Sequence, residues 1–391
     1  MGNGNSNIWI DRRAALTALA SVGQLSAGPV PAGGLWILAG QSNMQGAGLL
    51  RNAPAGDNRI RVYTLSGRWT AAAEPLHDLW DAKDPAYWPG GKRTPELVAQ
   101  RKAFANRSGA GLGLPFALSM LERTGVPIGL LPCALGGTTM AEWSPSRREE
   151  GNRSLYGAML GRIRATGGQV AGVLWYQGEA DGKPGLAAAY KQDFQNFIQS
   201  LRNDLQMETL PFYFVQIGRH VHDTQAAVNG PAWNLVQESQ RQVELEIPYT
   251  AMATSVDLEM DDGIHIGTDG LRELGRRLAL IASKTATAGP RPLRATCRGR
   301  SVHLQLSGVN GRIESSGRLA GFTVADSAGR ITPRLFRVIA NGDSISLPFD
   351  GGPTPPAYLW YGHGKDPYCN VRDSQGMALP AFGPFPIQAL P

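Results

Sequence analysis

Apolar runs alternate with amphipathic segments along most of the chain. The apolar runs typical of buried strands lie at residues 35–39, 127–133, 170–176, 211–217 and 249–256. Large apolar side chains recur every three or four positions over residues 190–205, which is the spacing of one face of a helix. Strands and helices that alternate in this way build a mostly parallel sheet with helices on both faces. The pattern therefore predicts a three-layer α/β/α sheet.

The pattern changes in the last quarter of the chain. Residues 287–292 read Thr-Ala-Gly-Pro-Arg-Pro, a composition typical of a linker. Short runs with the β-branched and aromatic content of strands follow, and the Asn-Gly pair at residues 341–342 indicates a tight hairpin. We predict an α/β domain over residues 33–287 and a small all-β, sandwich-like domain over residues 288–391 that supports it.

One serine follows directly on the first apolar run. The sequence Gly-Gln-Ser-Asn-Met at residues 40–44 places Ser42 where the chain leaves a buried strand and enters a helix. Such a turn can present a nucleophile, and the free N–H groups at the start of the helix can stabilise an oxyanion. The alternative is a serine that only caps the helix.

An aspartate and a histidine lie three residues apart much later in the chain. Asp262 and His265 precede a clear helical pattern over residues 271–281. A nucleophilic serine needs an imidazole to take its proton, and the imidazole needs an acceptor that fixes its tautomer. Taken separately, Asp262 can be a helix cap and His265 a surface residue. The order Ser, Asp, His favours a serine hydrolase over these interpretations.

Two further segments place polar groups after predicted strands. The Gly-Gly pair at residues 136–137 allows close approach of the backbone, whose N–H groups can point at developing negative charge. An ordinary glycine turn is the alternative. Gln177 follows the third apolar run, and its amide can donate to an oxyanion. Glu179 either orients a neighbouring side chain or caps the next helix.

Together the four blocks resemble the SGNH-hydrolase superfamily, and within it the branch of sialate O-acetylesterases. The blocks read Gly-Gln-Ser-Asn-Met, Gly-Gly-Thr, Trp-Tyr-Gln-Gly-Glu and Asp-x-x-His, and the similarity extends over residues 33–287. The resemblance implies a flavodoxin-like three-layer sheet and a mechanism with an acyl-enzyme intermediate. In that mechanism Ser42 is the nucleophile, His265 the base and Asp262 its orienting partner.

The same resemblance implies roles for the residues around the triad. The expected donors to the oxyanion are the backbone N–H of Ser42, that of Gly137 or Gly136, and the side chain of Gln177. The residues expected to contact the substrate are Gln41, Glu179 and His220. His220 belongs to a His-Val-His-Asp segment whose spacing also suits a metal ion. The position of this loop, at the strand ends that border the active site, favours substrate contact or an ordinary polar loop instead, and no metal or cofactor is expected.

The activity implied by the resemblance is removal of O-acetyl groups from carbohydrates, with an O-acetylated sialic acid as the first expected substrate. An acetylxylan esterase and another lipase or thioesterase of the superfamily are alternatives on the same fold. A carbohydrate-binding protein without activity is a third alternative. Turnover of acetyl esters by the purified protein separates this last case from the enzymes.

Composition argues against several other classes of protein. The 391 residues include 38 basic and 32 acidic side chains, and no basic cluster alternates with aromatic residues, so nucleic acid is not an expected partner. The chain has no run of about 18 apolar residues, so no membrane insertion is expected. Three cysteines do not make a disulfide framework, although Cys297 and Cys369 would be able to pair in an exported protein.

The N-terminal segment is similar to a twin-arginine export signal. Arg12 and Arg13 precede a weakly apolar run at residues 14–22, and small residues and proline follow. We expect residues 1–32 to be an export signal and the protein to be periplasmic or secreted. The alternative is a disordered or helical lead-in to the α/β domain of a cytoplasmic protein.

Overall fold

The computed structural model describes residues 30–390, apart from residues 222, 316, 333 and 351–354. Residues 1–29 lie outside the described part of the chain, and with them almost all of the predicted export signal at residues 1–32. Within the described part, no helix is long and apolar enough to cross a membrane.

The larger sheet is mostly parallel. Its strands, together with a separate two-stranded pair, are β1 (Leu35–Gly40), β2 (Gly48–Leu49), β3 (Ile60–Tyr63), β4 (Trp69–Ala71), β5 (Ser108–Ala110), β6 (Ile128–Pro132), β7 (Val170–Tyr176), β8 (Phe212–Gln216) and β9 (Thr250–Thr254). The order in space is β4-β3-β6-β1-β7-β8-β9, while β2 pairs with β5. Only β4 is antiparallel to its neighbour in the larger sheet. The predicted mostly parallel sheet is confirmed.

Helices cover both faces of this sheet. They are α1 (Ser42–Gln45), α2 (Pro95–Ala105), α3 (Gly113–Thr124), α4 (Leu155–Ala165), α5 (Tyr190–Leu205), α6 (Ala226–Glu246) and α7 (Thr268–Ala282). Every residue of the central strand β1 is buried. Because successive side chains of a strand point to opposite faces, a strand that is buried throughout is covered on both sides. α3 packs on α7, and α5 packs on α6.

A second, largely antiparallel sheet follows α7. The strands of this region are β10 (Arg291–Arg298), β11 (Ser301–Ser307), β12 (Ile313–Glu314), β13 (Phe322–Ala325), β14 (Ile331–Thr332), β15 (Ile339–Asn341), β16 (Ser344–Pro348), β17 (Tyr358–Tyr361), β18 (Arg372–Asp373) and β19 (Phe382–Ala389). The sheet order is β14-β13-β17-β19-β10-β11-β16-β15, and β12 pairs with β18. Only β10 and β19 run parallel within the sheet. The predicted Asn-Gly hairpin is confirmed, since β15 and β16 pair antiparallel and Gly342 has a φ of 64°.

The second sheet has its own hydrophobic core, distinct from the core of the α/β part. The predicted boundary between residues 287 and 288 stays a prediction. All three cysteines are buried and free, so the pairing considered for Cys297 and Cys369 is absent from the structure.

A buried ion pair joins the two parts of the chain. Arg277 on α7 donates to both carboxylate oxygens of Asp257 at 2.8 and 2.6 Å, and Arg372 on β18 donates to the same carboxylate at 2.5 Å. The side chains of Asp257 and Arg277 are fully buried. Burial raises the pKa of Asp257, but the two guanidinium groups outweigh burial and hold that pKa below its ordinary value.

Substitution of Asp257 by alanine is expected to destabilise the protein strongly. Removing one partner of a buried ion pair leaves the other charge buried and unpaired, which costs about 3–5 kcal/mol. Chemical denaturation followed by circular dichroism measures the change. Asp269→Ala is the matched control, because Asp269 is 80% exposed in its ion pair with Arg272 and such pairs contribute about 0–1 kcal/mol. Equal stability losses in the two variants would contradict the assigned role of Asp257.

Candidate active site

Ser42 lies immediately beyond the central strand. β1 ends at Gly40, and the chain then enters α1, of which Ser42 is the first residue. The turn requires glycine, because Gly40 has a φ of 129° and a Cβ atom there would lie 2.1 Å from the carbonyl oxygen of Tyr176. Ser42 is thus placed at the carboxyl end of a parallel strand, where open α/β sheets bind their ligands.

Asp262 and His265 lie on the loop between β9 and α7. His265 Nδ1 is 2.7 Å from Asp262 Oδ2. Asp262 Oδ1 accepts hydrogen bonds of 2.8 Å from the backbone N–H groups of Ile264 and His265. Burial raises the pKa of Asp262, but these hydrogen bonds outweigh it and lower that pKa. A carboxylate beside Nδ1 places the ring proton there and leaves Nε2 as the acceptor.

One open pocket of about 530 Å³ brings the two motifs together. Ser42, Gly137 and His265 all line it, as do the predicted substrate-binding residues Gln41, Glu179 and His220. The contacts of the described residues do not include a hydrogen bond between Ser42 Oγ and the His265 ring. Catalytic hydrogen bonds often tighten only in the complex with substrate. The fold has therefore placed the predicted nucleophile and base in one cavity.

The two glycines of the Gly-Gly turn differ in their hydrogen bonds. Gly136 donates its N–H to Gln45 Oε1 at 2.8 Å. A Cβ atom at Gly136 would lie 3.4 Å from that of Ser42, so the turn packs against the predicted nucleophile. The N–H of Gly137, which has a φ of 76°, has no partner among the described residues. Gly137 rather than Gly136 therefore has a donor available to an oxyanion.

The Gln177 amide, the predicted oxyanion donor, is hydrogen-bonded to groups that do not line the pocket. Its side chain is fully buried and is not part of the pocket wall. Nε2 donates to the carbonyl oxygen of Thr138 at 3.0 Å and to Asp181 Oδ2 at 2.5 Å, which uses both N–H groups of the amide. This geometry argues against donation to the oxyanion. Gln177 instead anchors the segment that follows the Gly-Gly turn.

Asn43 connects the nucleophile turn to the histidine loop, and the sequence patterns did not single it out. Its Nδ2 donates to the carbonyl oxygen of Ile264 at 3.3 Å, and its Oδ1 accepts from the N–H of Ile266 at 3.0 Å. Because these two residues flank His265, one side chain sets the position of the base relative to Ser42. The position of Asn43 directly after Ser42 in the Gly-Gln-Ser-Asn-Met motif was the signal from which this role could have been predicted.

Glu179 forms a buried part of the pocket wall. Its Oε1 accepts from Asn43 at 2.6 Å, while Oε2 has no hydrogen-bond partner among the described residues. Burial raises the pKa of Glu179, and the bond from Asn43 opposes that change. Gln41 uses its Oε1 to accept from the N–H groups of Gly178 and Ala180 at 3.4 and 3.2 Å. Substrate contact by Glu179 and Gln41 stays a prediction.

Another part of the pocket wall comes from the C-terminal region. Lys365 lines the pocket, with Nζ 2.5 Å from Asp223 Oδ2 and 4.5 Å from the centre of the Trp233 ring. The backbone N–H of His220 donates to the carbonyl oxygen of Lys365 at 2.7 Å. His222, from the same segment as His220, lies outside the described residues. Within the described ranges, no group of three or more His, Cys, Asp or Glu side chains is arranged to hold a metal ion.

Comparison with known proteins gives related carbohydrate esterases. A family model described as carbohydrate esterase, sialic acid-specific acetylesterase, matches residues 32–284. A probable carbohydrate esterase of Arabidopsis thaliana is 31% identical over 271 residues, which cover 64% of this chain and 90% of that protein. The crystal structure of a carbohydrate acetylesterase from Xanthomonas citri aligns with a TM-score of 0.69 at 23% identity and covers 89% of this chain and 80% of that one. At this identity the structural likeness shows a shared fold.

Proposed function

The chain belongs to the carbohydrate esterase family of sialic acid-specific acetylesterases, and on this premise we propose that Ser42, His265 and Asp262 are its catalytic triad. Membership of the family makes the protein a carboxylic ester hydrolase that acts on acetylated carbohydrates. The observation that supports the triad most is the 2.7 Å contact between His265 Nδ1 and Asp262 Oδ2, with His265 in the same pocket as Ser42.

The proposed reaction begins with attack by Ser42 Oγ on the carbonyl carbon of the acetyl ester. His265 Nε2 takes the serine proton, while Asp262 stabilises the imidazolium through Nδ1. The oxyanion accepts hydrogen bonds from the backbone N–H groups of Ser42 and Gly137. Ser42 is the first residue of α1, where N–H groups have no partner within the helix. Gln177 is left out, since both of its N–H groups are already used.

Collapse of the first intermediate releases the sugar. The bond between the acetyl carbon and the sugar oxygen breaks, His265 returns its proton to that oxygen, and an acetyl ester of Ser42 remains. A water molecule then gives a proton to His265 and attacks the acetyl carbon. Acetate leaves, and the serine regains its proton. We propose an O-acetylated sialic acid as the first substrate to test, because the family description names that sugar.

Covalent labelling tests the nucleophile directly. A fluorophosphonate probe is expected to add its phosphonyl mass to the peptide that contains Ser42, because an activated serine displaces fluoride from phosphorus. Mass spectrometry of the digested protein locates the modification. Prior incubation with an acetylated substrate should slow the labelling. Modification of a different serine at the same rate would contradict the assignment.

A substrate panel tests the activity and its alternatives. Acetate release is measured with O-acetylated sialic acids, acetylated xylan and aryl esters of increasing acyl length. Preference for an acetylated sugar supports the proposal. Preference for long acyl chains would favour a lipase or thioesterase, and the absence of turnover on every ester would favour a binding protein.

A further inference from the structure

Lys365 supplies a buried ammonium group to the pocket from outside the part of the chain that matches the family. The residue lies between β17 and β18, whereas the family match ends at residue 284. Its side chain is only 4% exposed in its ion pair with Asp223. Burial of an ammonium group is costly unless its donors are used. The ammonium group of Lys365 therefore needs hydrogen-bond acceptors inside the pocket.

The loop that carries Lys365 is held firmly against the α/β part. Asn234 on α6 accepts from the N–H of Gly364 at 2.8 Å and donates to the carbonyl oxygen of the same residue at 3.1 Å. The carbonyl oxygen of Lys365 accepts from the N–H of His220. Hydrogen bonds to the backbone of Gly364 and of Lys365 therefore fix the position from which the Lys365 side chain extends. A group held in this way is preorganised for binding.

Among the described residues, the ion pair of Lys365 and Asp223 leaves at least one N–H donor and one acceptor site without a partner. An ammonium group has three N–H donors; Asp223 takes one, and the ring face of Trp233 lies beside the group. Asp223 Oδ2 also accepts from Asn229 at 2.9 Å, and Oδ1 accepts from the N–H of Gln225 at 2.8 Å. Each carboxylate oxygen offers about two acceptor sites, and the described residues use one of the two on Oδ1.

We infer that Lys365 and Asp223 together bind two neighbouring hydroxyl groups of the acetylated sugar. Lys365 donates to the oxygen of one hydroxyl, and Asp223 Oδ1 accepts from the other. The ammonium group and the carboxylate neutralise each other, so the pair suits hydroxyl groups better than a carboxylate of the substrate. This inference rests on the proposed function and names the residues that select the sugar.

The hydrogen bonds to Asp223 keep it in the charged form that this role requires. The bond from Lys365 contributes most, followed by the bonds from Asn229 and the N–H of Gln225, and together they lower the pKa of Asp223 well below its ordinary value. The acceptor therefore stays ionised throughout the neutral range.

The test compares a sugar ester with an ester that has no hydroxyl groups. The probes are 4-nitrophenyl acetate and whichever of O-acetylated sialic acid and acetylated xylo-oligosaccharides the wild-type enzyme turns over faster. Lys365→Met is expected to lower the ratio of kcat/KM on the sugar ester to kcat/KM on the aryl ester by about 10- to 100-fold, as for loss of a hydrogen bond to a charged group. Asp223→Asn is expected to lower it in the same direction. Lys102→Met, at an exposed position on α2, is the matched control and should leave the ratio unchanged.

A binding measurement separates recognition from turnover. In a Ser42→Ala background, Lys365→Met should weaken binding of the same sugar ester by about 10- to 100-fold in calorimetry. A selectivity ratio within threefold of wild type, in a variant that melts at the wild-type temperature, would overturn the inference. Proportional losses on both esters would do the same, because they indicate support of the site rather than sugar recognition. Full activity of Ser42→Ala would instead refute the proposed triad, so the two failures are distinguishable.

Discussion

Ser42→Ala is expected to lower kcat by about 10⁴- to 10⁶-fold on both an aryl acetate and an acetylated sugar, because removal of the nucleophile of a serine triad eliminates the covalent route. The residual rate would come from the oxyanion donors and from substrate binding. Loss of a single hydroxyl group at the start of α1 should leave the melting temperature close to that of the wild type. Steady-state kinetics and circular dichroism measure the two quantities.

The matched control for this substitution is Ser200→Ala. Ser200 lies on α5, outside the pocket, and its hydroxyl group donates to Asn196 Oδ1 at 3.4 Å. The control variant should keep wild-type turnover. If Ser42→Ala retained a tenth or more of the wild-type kcat after rigorous purification, the chemistry would have to lie elsewhere.

His265→Ala is expected to be nearly as inactive as the serine variant, since the two groups act as a unit. Added imidazole should restore part of the activity, because a small base can enter the space that the ring vacates. His303→Ala is the control. That histidine lies exposed on β11, with its ring 3.1 Å from Ser346 Oγ, and its loss should leave turnover unchanged.

Asp262→Asn should give a smaller loss than removal of the histidine. Replacement of a buried triad aspartate by asparagine lowers kcat by about 10⁴-fold in a related constellation. Asp262 is 54% exposed, so water can replace part of its interaction with the ring, and we expect a loss below that value. An Asp262→Asn variant with full activity would show that the contact with His265 is not needed for catalysis.

If His265 were not the catalytic base, His77 would be a poor alternative candidate for that role. Its Nε2 accepts from the N–H of Ala134 at 3.1 Å. Burial lowers the pKa of His77 to about 3, so its ring stays neutral through the whole physiological range. Substantial activity in His265→Ala would therefore direct attention to His220, which lines the same pocket as Ser42.

The pattern of the sequence by itself determined the sheet, the hairpin and the candidates for the triad. Hydrophobic periodicity is a local property, and it identifies buried strands and amphipathic helices wherever the run is long enough. The carboxyl ends of parallel strands lie at one edge of a sheet, and Ser42 after β1 and Gly137 after β6 both line the pocket at that edge. The chemistry of an acyl transfer then selects serine, histidine and aspartate from the polar residues at that edge.

Only the tertiary structure decided which groups in the site are free. The sequence does not distinguish Gly136 from Gly137. In the structure, Gln45 on α1 accepts a hydrogen bond from the N–H of Gly136, whereas the N–H of Gly137 has no partner among the described residues. Gln177 follows a strand at the correct edge, yet Thr138 and Asp181 use its amide. Hydrogen bonds of this kind depend on side chains from several distant segments, and no local pattern records them.

The contribution of the C-terminal region to the pocket could likewise not be predicted from the sequence. That region was expected to support the α/β part, and its last hundred residues contain no pattern that marks Lys365. The lysine reaches the pocket because the loop after β17 packs on α6 through Asn234. Local hydrophobic pattern selects secondary structure, but the packing of two separate cores against each other decides which surface side chains become part of a shared pocket.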